Sequence, residues 1–439
     1  MITRPRLTTI SQLAIPIVAG MVSSNLLTLV DTAMIGRLGP VALAAAAVCG
    51  LASGLFMAPT AGLPIAVQAI IARRMGEDKK DIIHLPVIAG LVVGLLVSIP
   101  IAVAVFILAP QIFPILNPDP MVAEVGISYM RLLAVSMPAG AIMAPLMGYW
   151  NGTGRPKAYL WITLTTHIVN VILNYLLIFG KFGLPQLGLT GAGIGSAIAT
   201  YVSTGLMILI TFRDPLRPQG FSRPPKPILQ GVFNLMTPSS LRSVLQWAGY
   251  LLFMIFLGYV GTTEVAAAGI LVRIMMVSVL PSIGLGVAAA TLVGQSLGRG
   301  EPAEAKIWGW DVAKIGVVAM MILGLPMLLF PEAVLGIFIS DPATIKAATA
   351  PLQLSGATRF VAVGFVFISS LNGAGDNKRV MYYTEALHWL IYLPIVWFCT
   401  YQLAWGLWGL WVVQTIHTFI RATGLAIMWQ RGRWQHIKI

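Results

Sequence analysis

The chain contains one short glycine-rich segment twice, as Asn151-Gly-Thr-Gly-Arg-Pro-Lys157 and, 221 positions later, as Asn372-Gly-Ala-Gly-Asp-Asn-Lys378. Each copy lies between long apolar stretches. Other landmarks recur at nearly the same offset: Gly188-Leu-Thr-Gly191 corresponds to Gly406-Leu-Trp-Gly409, and the alanine-rich segment after Gly39 corresponds to the one after Gly261. Several matches in register indicate a chain built from two homologous halves.

The composition is that of a membrane protein. Hydrophobic residues make up 57% of the chain, charged residues only 10%, and the mean hydropathy is +0.86, whereas about 25% of the residues in a soluble domain are charged. Apolar runs of membrane-spanning length predict twelve helices at about residues 8–36, 40–72, 82–113, 121–150, 158–179, 191–212, 230–260, 263–296, 306–330, 343–371, 380–401 and 406–429. The predicted fold is therefore all-α, with six spans in each half.

The domain prediction follows from the repeat and from one proline-rich segment. We predict an amino-terminal six-helix lobe over residues 1–212, a cytoplasmic linker over 213–229, where five prolines oppose a helix, and a carboxyl-terminal lobe over 230–439. Since six spans separate equivalent points, the lobes are related by a pseudo-two-fold axis along the membrane normal. Repeats of this kind are typical of secondary transporters, with the substrate path between the halves.

The net charge of +13 is explained by membrane topology rather than by nucleic acid, so no nucleic-acid partner is predicted. Most basic residues lie in the even-numbered gaps and at the termini, whereas the opposite side holds only Arg37, Lys181 and Lys346. The positive-inside rule then places both termini in the cytoplasm. The first apolar run is too long for a cleaved signal peptide, and Cys49 and Cys399 lie in apolar stretches, so neither a disulfide nor a cysteine metal site is predicted.

Asp31 is the residue that points most directly to function, because it lies inside the first predicted span. A carboxylate there costs a few kcal/mol, so an ion or proton pathway is the default hypothesis. Ser24, Thr28 and Asp31 are spaced i, i+4 and i+7, which puts them on one helix face, and Ser24 and Thr28 are predicted substrate contacts. The alternative is that Asp31 is a helix-end residue that reaches water.

Amide and hydroxyl groups on later spans are predicted partners of Asp31. Asn170 and Asn174 are four residues apart on the fifth span, and Thr200 lies on the sixth. Such groups can bond either protonation state of a carboxylate and would hold Asp31 while it exchanges a proton. An interhelical hydrogen bond that only joins spans is the alternative for each asparagine.

The equivalent stripe in the second half is Gln246, Tyr250 and Phe253, which carries no charge. If this stripe faces a cavity, it would bind apolar or cationic ligands through burial and cation–π contact. The alternative is that these side chains only pack against neighbouring helices. Glu385 and His388, on the eleventh span, form a second titratable pair, for which a structural role is the alternative.

Three further features of the sequence concern charge, helix packing and catalysis. Arg131, Arg273 and Arg359 lie within spans and can extend to the interface, pair internally or meet an anionic ligand. Gly191 and Gly195 open a span without a preceding strand, which predicts close helix packing rather than a dinucleotide site. No HExxH, Walker A or nucleophile-elbow pattern occurs, so no enzymatic activity and no cofactor is predicted.

Several segments together resemble the multidrug and toxic compound extrusion family, in particular its bacterial NorM-type branch. The resemblance covers the whole chain and is carried by Val30-Asp-Thr-Ala-Met-Ile-Gly36, Asn170-Val-Ile-Leu-Asn-Tyr175, Phe179-Gly-Lys-Phe-Gly-Leu-Pro185, Gly191-Ala-Gly193 and the two Asn-Gly-x-Gly segments. It implies a monomeric antiporter of the bacterial inner membrane that exports cationic amphiphilic drugs or metabolites against H⁺ or Na⁺ by alternating access.

The resemblance also assigns residues. It places the cation site of the amino-terminal lobe at Asp31, Asn170, Asn174 and Thr200, and a helix-bending proline at Pro16. The chain departs from the family pattern in two ways. Asn174 stands where some relatives carry an aspartate, and in the second lobe Gln246 and Val361 stand where NorM-type members have a glutamate and an aspartate. Proton coupling through Asp31 is therefore expected, with Na⁺ at the same residues as the alternative. A lipid-linked oligosaccharide flippase of the same superfamily, whose arginines would bind pyrophosphate, is the alternative function.

Overall fold

The computed structural model describes residues 2–216, 224–403 and 405–439, and all regular elements in these ranges are helical. The α-helices are α1 Arg4–Gly36, α2 Pro40–Met57, α3 Leu63–Gly76, α4 His84–Leu116, α5 Pro120–Gly152, α6 Lys157–Phe179, α7 Gly188–Phe212, α8 Lys226–Gly258, α9 Thr262–Gly298, α10 Pro302–Leu329, α11 Pro331–Gly336, α12 Pro342–Ala357, α13 Gly364–Gly373, α14 Asn377–Ala386, α15 Leu393–Tyr401 and α16 Gly406–Arg431. The prediction of an all-α membrane protein is confirmed.

Each predicted span coincides with one helical segment, although not every segment is a single straight helix. Within the described ranges, nine helical segments are long and apolar enough to cross a membrane, and α12 and α13 form a tenth that bends by 60°. The last two segments are α14–α15, joined by the π-helical turn Leu387–Tyr392, and α16. Many large apolar side chains, including those of Leu96, Trp161 and Leu390, are mostly exposed, as expected for a lipid-facing surface.

The first copy of the repeated segment ends α5 and requires both of its glycines. A Cβ atom on Gly152 would lie 2.9 Å from the backbone oxygen of Gln68 on α3, which leaves no room for a side chain. Gly154 has a φ of 75°, in the left-handed region that glycine adopts without strain. The segment therefore joins a close helix contact to a tight turn.

The second copy uses the same two devices. A Cβ atom on Gly373 would lie 2.6 Å from the Cα atom of Ala290 on α9, and Gly375 has a φ of 89°. Ala290 lies at the repeat offset from Gln68, so the same helix contact forms once in each half. The copies differ in charge, because Arg155 follows the second glycine in the first copy and Asp376 in the second. Burial raises the pKa of Asp376 to about 6, although the nearby Arg379 guanidinium opposes the shift.

The described chain divides into two compact units. The amino-terminal unit is Ala19–Val244, and the carboxyl-terminal unit is Leu245–Ile439 together with the residues up to Val18. These limits differ from the predicted lobe boundaries at residues 212 and 230, because α1 and α8 each have residues in both units. Pro16 and Pro238, which are repeat equivalents, lie inside these two helices.

The proline-rich linker is shorter than predicted. Helix α8 begins at Lys226, inside the predicted linker, with Pro227 in its first turn, where the missing N–H of proline costs no hydrogen bond. Residues 217–223 of the predicted linker lie outside the described residues.

The start of α1 belongs to the carboxyl-terminal unit for an electrostatic reason. The Arg6 guanidinium donates to Asp311 at 2.7 Å and also to Glu304, and it lies 4.5 Å from the Trp308 ring centroid. All three partners are on α10. Ile10 and Leu13 are buried in the core of the same unit.

A buried ion pair holds the first repeated segment in the amino-terminal unit. Arg155 donates to both carboxylate oxygens of Asp214, at 2.7 and 3.1 Å, and Asp214 also accepts from the Tyr149 hydroxyl at 3.2 Å and the Leu216 N–H at 2.8 Å. The Asp214 side chain is only 3% exposed. This carboxylate therefore connects the end of α7 to the turn after α5.

Replacing Asp214 should test the importance of that connection. Because the Arg155 side chain is 37% exposed, water screens part of its charge, and we expect Asp214→Asn to cost about 1–2 kcal/mol rather than the 3–5 kcal/mol of a fully buried pair. Thermal unfolding of the purified protein in detergent would show a lower melting midpoint. Glu301→Gln, which removes one partner of an exposed pair with Arg299, is the matched control; equal shifts in both variants would contradict the argument.

Candidate functional site

In the amino-terminal unit, the carboxylate predicted to carry function is part of a chain of hydrogen bonds. The Asn174 amide donates to Asp31 Oδ1 at 2.9 Å and to Asn170 Oδ1 at 3.0 Å. The Asn170 amide donates to Ser196 Oγ at 3.1 Å. The chain thus crosses three helices, α7, α6 and α1, and Asn174 is fully buried at its centre.

Asn174 leaves one polar atom without a partner. Its amide nitrogen serves two acceptors, whereas its buried Oδ1 has no hydrogen-bond partner among the residues described. A buried carbonyl oxygen beside a carboxylate is suited to accept a hydrogen bond from a protonated oxygen or to bind a hard cation such as Na⁺. In the described chain, no cluster of three histidine, cysteine or acidic residues suggests a resident metal.

A glycine on α7 makes room for this arrangement. A Cβ atom on Gly195 would overlap Asn174 Oδ1, and one on Gly191 would lie 2.6 Å from the Leu177 backbone oxygen. The predicted close packing through these two glycines is confirmed. Because the helix backbones approach so closely here, the carboxamide of Asn174 has little freedom to move away from Asp31.

The other residues predicted for this site have different partners. The Thr200 hydroxyl donates to the Ser196 backbone oxygen at 2.8 Å rather than to Asp31. Ser24 and Thr28 are exposed, and each donates to the carbonyl one turn earlier on α1. The assignments of Thr200 as a coupling residue and of Ser24 and Thr28 as ligand contacts stay predictions.

His167 has a joining role in the same unit. Its Nδ1 lies 2.7 Å from Ser23 Oγ, and its Nε2 lies 3.5 Å from Ser24 Oγ. The imidazole therefore links α6 to α1 about two turns away from Asp31.

The carboxyl-terminal unit contains a separate cavity of about 360 Å³. All three residues of the equivalent stripe on α8, Gln246, Tyr250 and Phe253, line it, as do Glu385 and His388. Phe253 stacks on Tyr392 at a centroid distance of 6.4 Å. The structure therefore places the α8 stripe and the pair Glu385 and His388 around one cavity, although their roles stay predictions.

The π-helical turn Leu387–Tyr392 shapes one wall of this cavity. The wider turn carries both His388 and Tyr392, whose rings are 5.1 Å apart; single π turns are frequent at functional sites. On the facing helix, a Cβ atom on Gly249 would overlap His388 Nε2. As at Gly195, a missing side chain accommodates a polar group.

Helix α16 supplies lining residues that were not predicted for this cavity, among them Trp411, Gln414, His417 and Arg421. Gln414, His417 and Arg421 are spaced i, i+3 and i+7 on an apolar helix, the same kind of signal that identified Asp31. Ser196 was also missed, since an isolated serine in a span has no distinctive pattern.

Two of the three predicted intramembrane arginines have backbone partners. Arg131 donates to the Phe106 carbonyl at 3.1 Å, and Arg359 donates to the Met275 carbonyl at 3.0 Å. Arg273 is exposed. Internal pairing, one of the options considered for these residues, accounts for the first two.

Comparison with known proteins agrees with this architecture. A MatE family profile matches residues 16–176 and again 238–398, so the two matched segments reproduce the internal repeat. The chain is 30% identical to a probable multidrug resistance protein NorM of Bradyrhizobium diazoefficiens, with 95% of this chain and 91% of that protein covered. It is 28% identical to one from Synechococcus, with 92% and 89% covered.

Solved structures share the fold. An outward-facing multidrug resistance MATE family transporter of the MOP superfamily superimposes with a TM-score of 0.91 at 19% identity, covering 98% of this chain and 96% of the other. The Vibrio cholerae MATE transporter VcmN in its bent form gives 0.86 at 20% identity, covering 98% and 97%. The repeated profile match and the full-length relatives show that the chain belongs to the MatE family, the multidrug and toxic compound extrusion transporters, and that it is a membrane transporter rather than an enzyme.

Proposed function

We propose that this chain is a secondary active antiporter that exports cationic amphiphilic compounds in exchange for protons by alternating access, with Asp31 as the coupling carboxylate. The hydrogen bond from the buried Asn174 amide to Asp31 carries the proposal. It supports a carboxylate that is held in place among apolar helices yet has one oxygen free to exchange a proton. The names of the relatives as multidrug resistance proteins support the class of compound.

The location and assembly belong to the same proposal. The asymmetric distribution of basic residues supports cytoplasmic termini, and the bacterial relatives support the inner membrane. We propose that the protein acts as a monomer, without a cofactor, in contact with membrane lipid and small-molecule substrates.

Sodium is the second candidate for the coupling ion. The unpartnered Asn174 Oδ1 favours it, because carbonyl and carboxylate oxygens are the usual ligands of hard cations. Proteoliposomes in which a proton gradient or a sodium gradient is imposed separately would distinguish the ions, since only the coupling ion drives ethidium transport. The flippase alternative is weakened because Arg131 and Arg359 already donate to backbone carbonyls.

The first prediction concerns the coupling carboxylate. Asp31→Asn preserves size and can still accept a hydrogen bond from Asn174, but an amide cannot exchange a proton. We expect ethidium uptake into everted vesicles with an acidified lumen to fall to the level of vesicles without the transporter at equal expression. Asp119→Asn is the control, because asparagine caps a helix as well as aspartate does and Asp119 caps α5. Unchanged uptake in Asp31→Asn would assign coupling elsewhere, with Glu385 the next candidate.

The second prediction tests the position of Asn174. Gly195→Ala should push the Asn174 amide away from Asp31 and remove a hydrogen bond to a charged group, worth about 1.5–3 kcal/mol, so coupled efflux should fall about tenfold or more. Gly205→Ala on the same helix is the control, since nothing lies within 4 Å of the added Cβ. The positioning role is wrong if both variants transport equally well.

The third prediction concerns the aromatic stripe of the carboxyl-terminal unit. Tyr250 lines the cavity and is less buried than Phe253, so Tyr250→Ala removes a ligand contact with less damage to packing. An aromatic contact contributes about 0.5–2 kcal/mol to cation binding. We therefore expect export to change by about twofold to thirtyfold, differently for each compound, in a panel of cationic dyes. Tyr382→Ala, at a 66% exposed position, should change none; a uniform loss for all dyes would exclude a selective contact at Tyr250.

A further inference from the structure

A groove on the surface of the carboxyl-terminal unit is separate from the cavity described above. It has a volume of about 240 Å³ and is lined by residues of α10, α13 and α16 and of the short 3₁₀ turn Arg359–Val363. The tenth span bends by 60° at this turn. Because of the bend, no straight helix fills the space between α10 and α16.

The groove opens on a surface that contacts lipid. Beside it, α10 exposes Val318 and Met321, and α16 exposes Ile416 and Ile420. Exposed apolar side chains on membrane-spanning helices face hydrocarbon rather than water. Phe419, which lines the groove, is itself 53% exposed, so an acyl chain can enter the groove from the bilayer.

Among the lining residues described, Lys314 is the only charged one. Its side chain is 62% exposed, and its Nζ lies 3.9 Å from Asp311 Oδ1. Asp311 Oδ2 already accepts from the Arg6 guanidinium at 2.7 Å. Since Arg6 is the closer partner of this carboxylate, Lys314 is only weakly paired, and its ammonium group is available to an anion.

The cationic end of the groove extends along α10. Lys306, Trp310 and Lys314 are spaced i, i+4 and i+8, which places them along one side of the helix. Lys306 donates to the Gln430 backbone carbonyl at 2.9 Å, and the Trp310 indole donates to the Gln430 side chain at 3.1 Å. Tryptophan at a membrane–water interface lies at the level of the lipid head groups, so the two lysines lie where phosphate groups are found.

We propose that this groove binds an anionic phospholipid, with the phosphate at Lys306 and Lys314 and one acyl chain along Val317, Val363 and Phe419. Cationic pockets between transmembrane helices on the cytoplasmic side are suited to anionic head groups, and the proposed orientation puts this end of α10 there. The bilayer is as apolar as the groove, so the head group provides the preference. The proposal goes beyond the proposed function, since it concerns a resident lipid and not a transported compound.

The lipid would lie directly behind one wall of the larger cavity. Val361 lines both the groove and the cavity, while its neighbours Phe360 and Arg359 line the groove and the cavity respectively. The turn Arg359–Val363 is therefore the partition between the two spaces. An acyl chain in the groove would pack against this turn from the lipid side.

Two phospholipids with identical acyl chains test the proposal without an ion gradient. The full-length protein is purified in detergent, stripped of co-purified lipid and titrated with phosphatidylglycerol or with phosphatidylcholine. Native mass spectrometry counts the lipids bound at each concentration. We expect the first phosphatidylglycerol to bind about fivefold to thirtyfold more tightly than the first phosphatidylcholine, the effect of one or two lysines on an anionic head group.

Charge variants locate the head group. Lys314→Gln should reduce the preference for phosphatidylglycerol about fivefold, and Lys306→Gln should act in the same direction. Lys314 is exposed, so its replacement does not disturb the core. Lys157→Gln is the matched control, because it removes an exposed positive charge from the first turn of α6, in the other unit. It should leave the preference unchanged.

A second pair of variants locates the acyl chain. Thr423 lines the groove and is exposed, so Thr423→Phe places a ring in the groove and should abolish the tightest binding event for both lipids. Ile427→Phe adds the same ring one turn further along α16, at a 48% exposed position outside the set of lining residues. It should bind both lipids as the wild-type protein does.

Equal binding of the two lipids to the wild-type protein would overturn the proposal, as would a preference that survives unchanged in Lys314→Gln or tight binding retained in Thr423→Phe. A dimer in the native spectrum that Thr423→Phe dissociates would assign the groove to a second copy of the chain instead. None of these measurements involves Asp31 or an ion gradient. A negative result would therefore reject the lipid site and leave the antiporter proposal standing.

Discussion

Close packing of helix backbones at glycine positions determines the geometry of both units. In a membrane, helices satisfy their own backbone groups, and small residues let them pack at short distances. Gly152 and Gly373 allow equivalent contacts in the two halves, and Gly195 and Gly249 leave room for Asn174 and for His388. The side chains that carry the proposed chemistry thus occupy space that a missing Cβ provides, and a methyl group would displace them.

The two halves have kept this framework while their polar groups diverged. The amino-terminal unit holds a carboxylate in a chain of neutral amides and hydroxyls that ends at Ser196. The carboxyl-terminal unit has glutamine and aromatic residues at the equivalent positions, and the charged groups of its cavity come instead from α14, from α16 and from the turn Arg359–Val363. One framework can therefore support two different kinds of site, because ligand chemistry depends on a few side chains and helix packing on many.

Predictions from sequence succeeded where a single residue type is unusual for its surroundings. Asp31 and the pair Asn170 and Asn174 are polar residues in apolar helices, and helical spacing alone suggested that they meet. Thr200 was grouped with them, yet its hydroxyl donates to its own helix backbone, since a threonine in a helix can always bond the preceding turn. His417 and Arg421 show equally clear helical spacing on α16. They lie far along the chain from the other residues that line the cavity.

The sequence by itself determined the two-fold repeat, the helical membrane architecture and the presence of a carboxylate within the first span, because these depend on composition, periodicity and spacing along one chain. Only the tertiary structure decided that Asn174 bonds Asp31, that α1 and α8 each contribute to both units, and that Glu385 and Arg421 line one cavity with His417. Such contacts depend on distances between helices that are remote in sequence, and those distances are set by packing over whole helix faces.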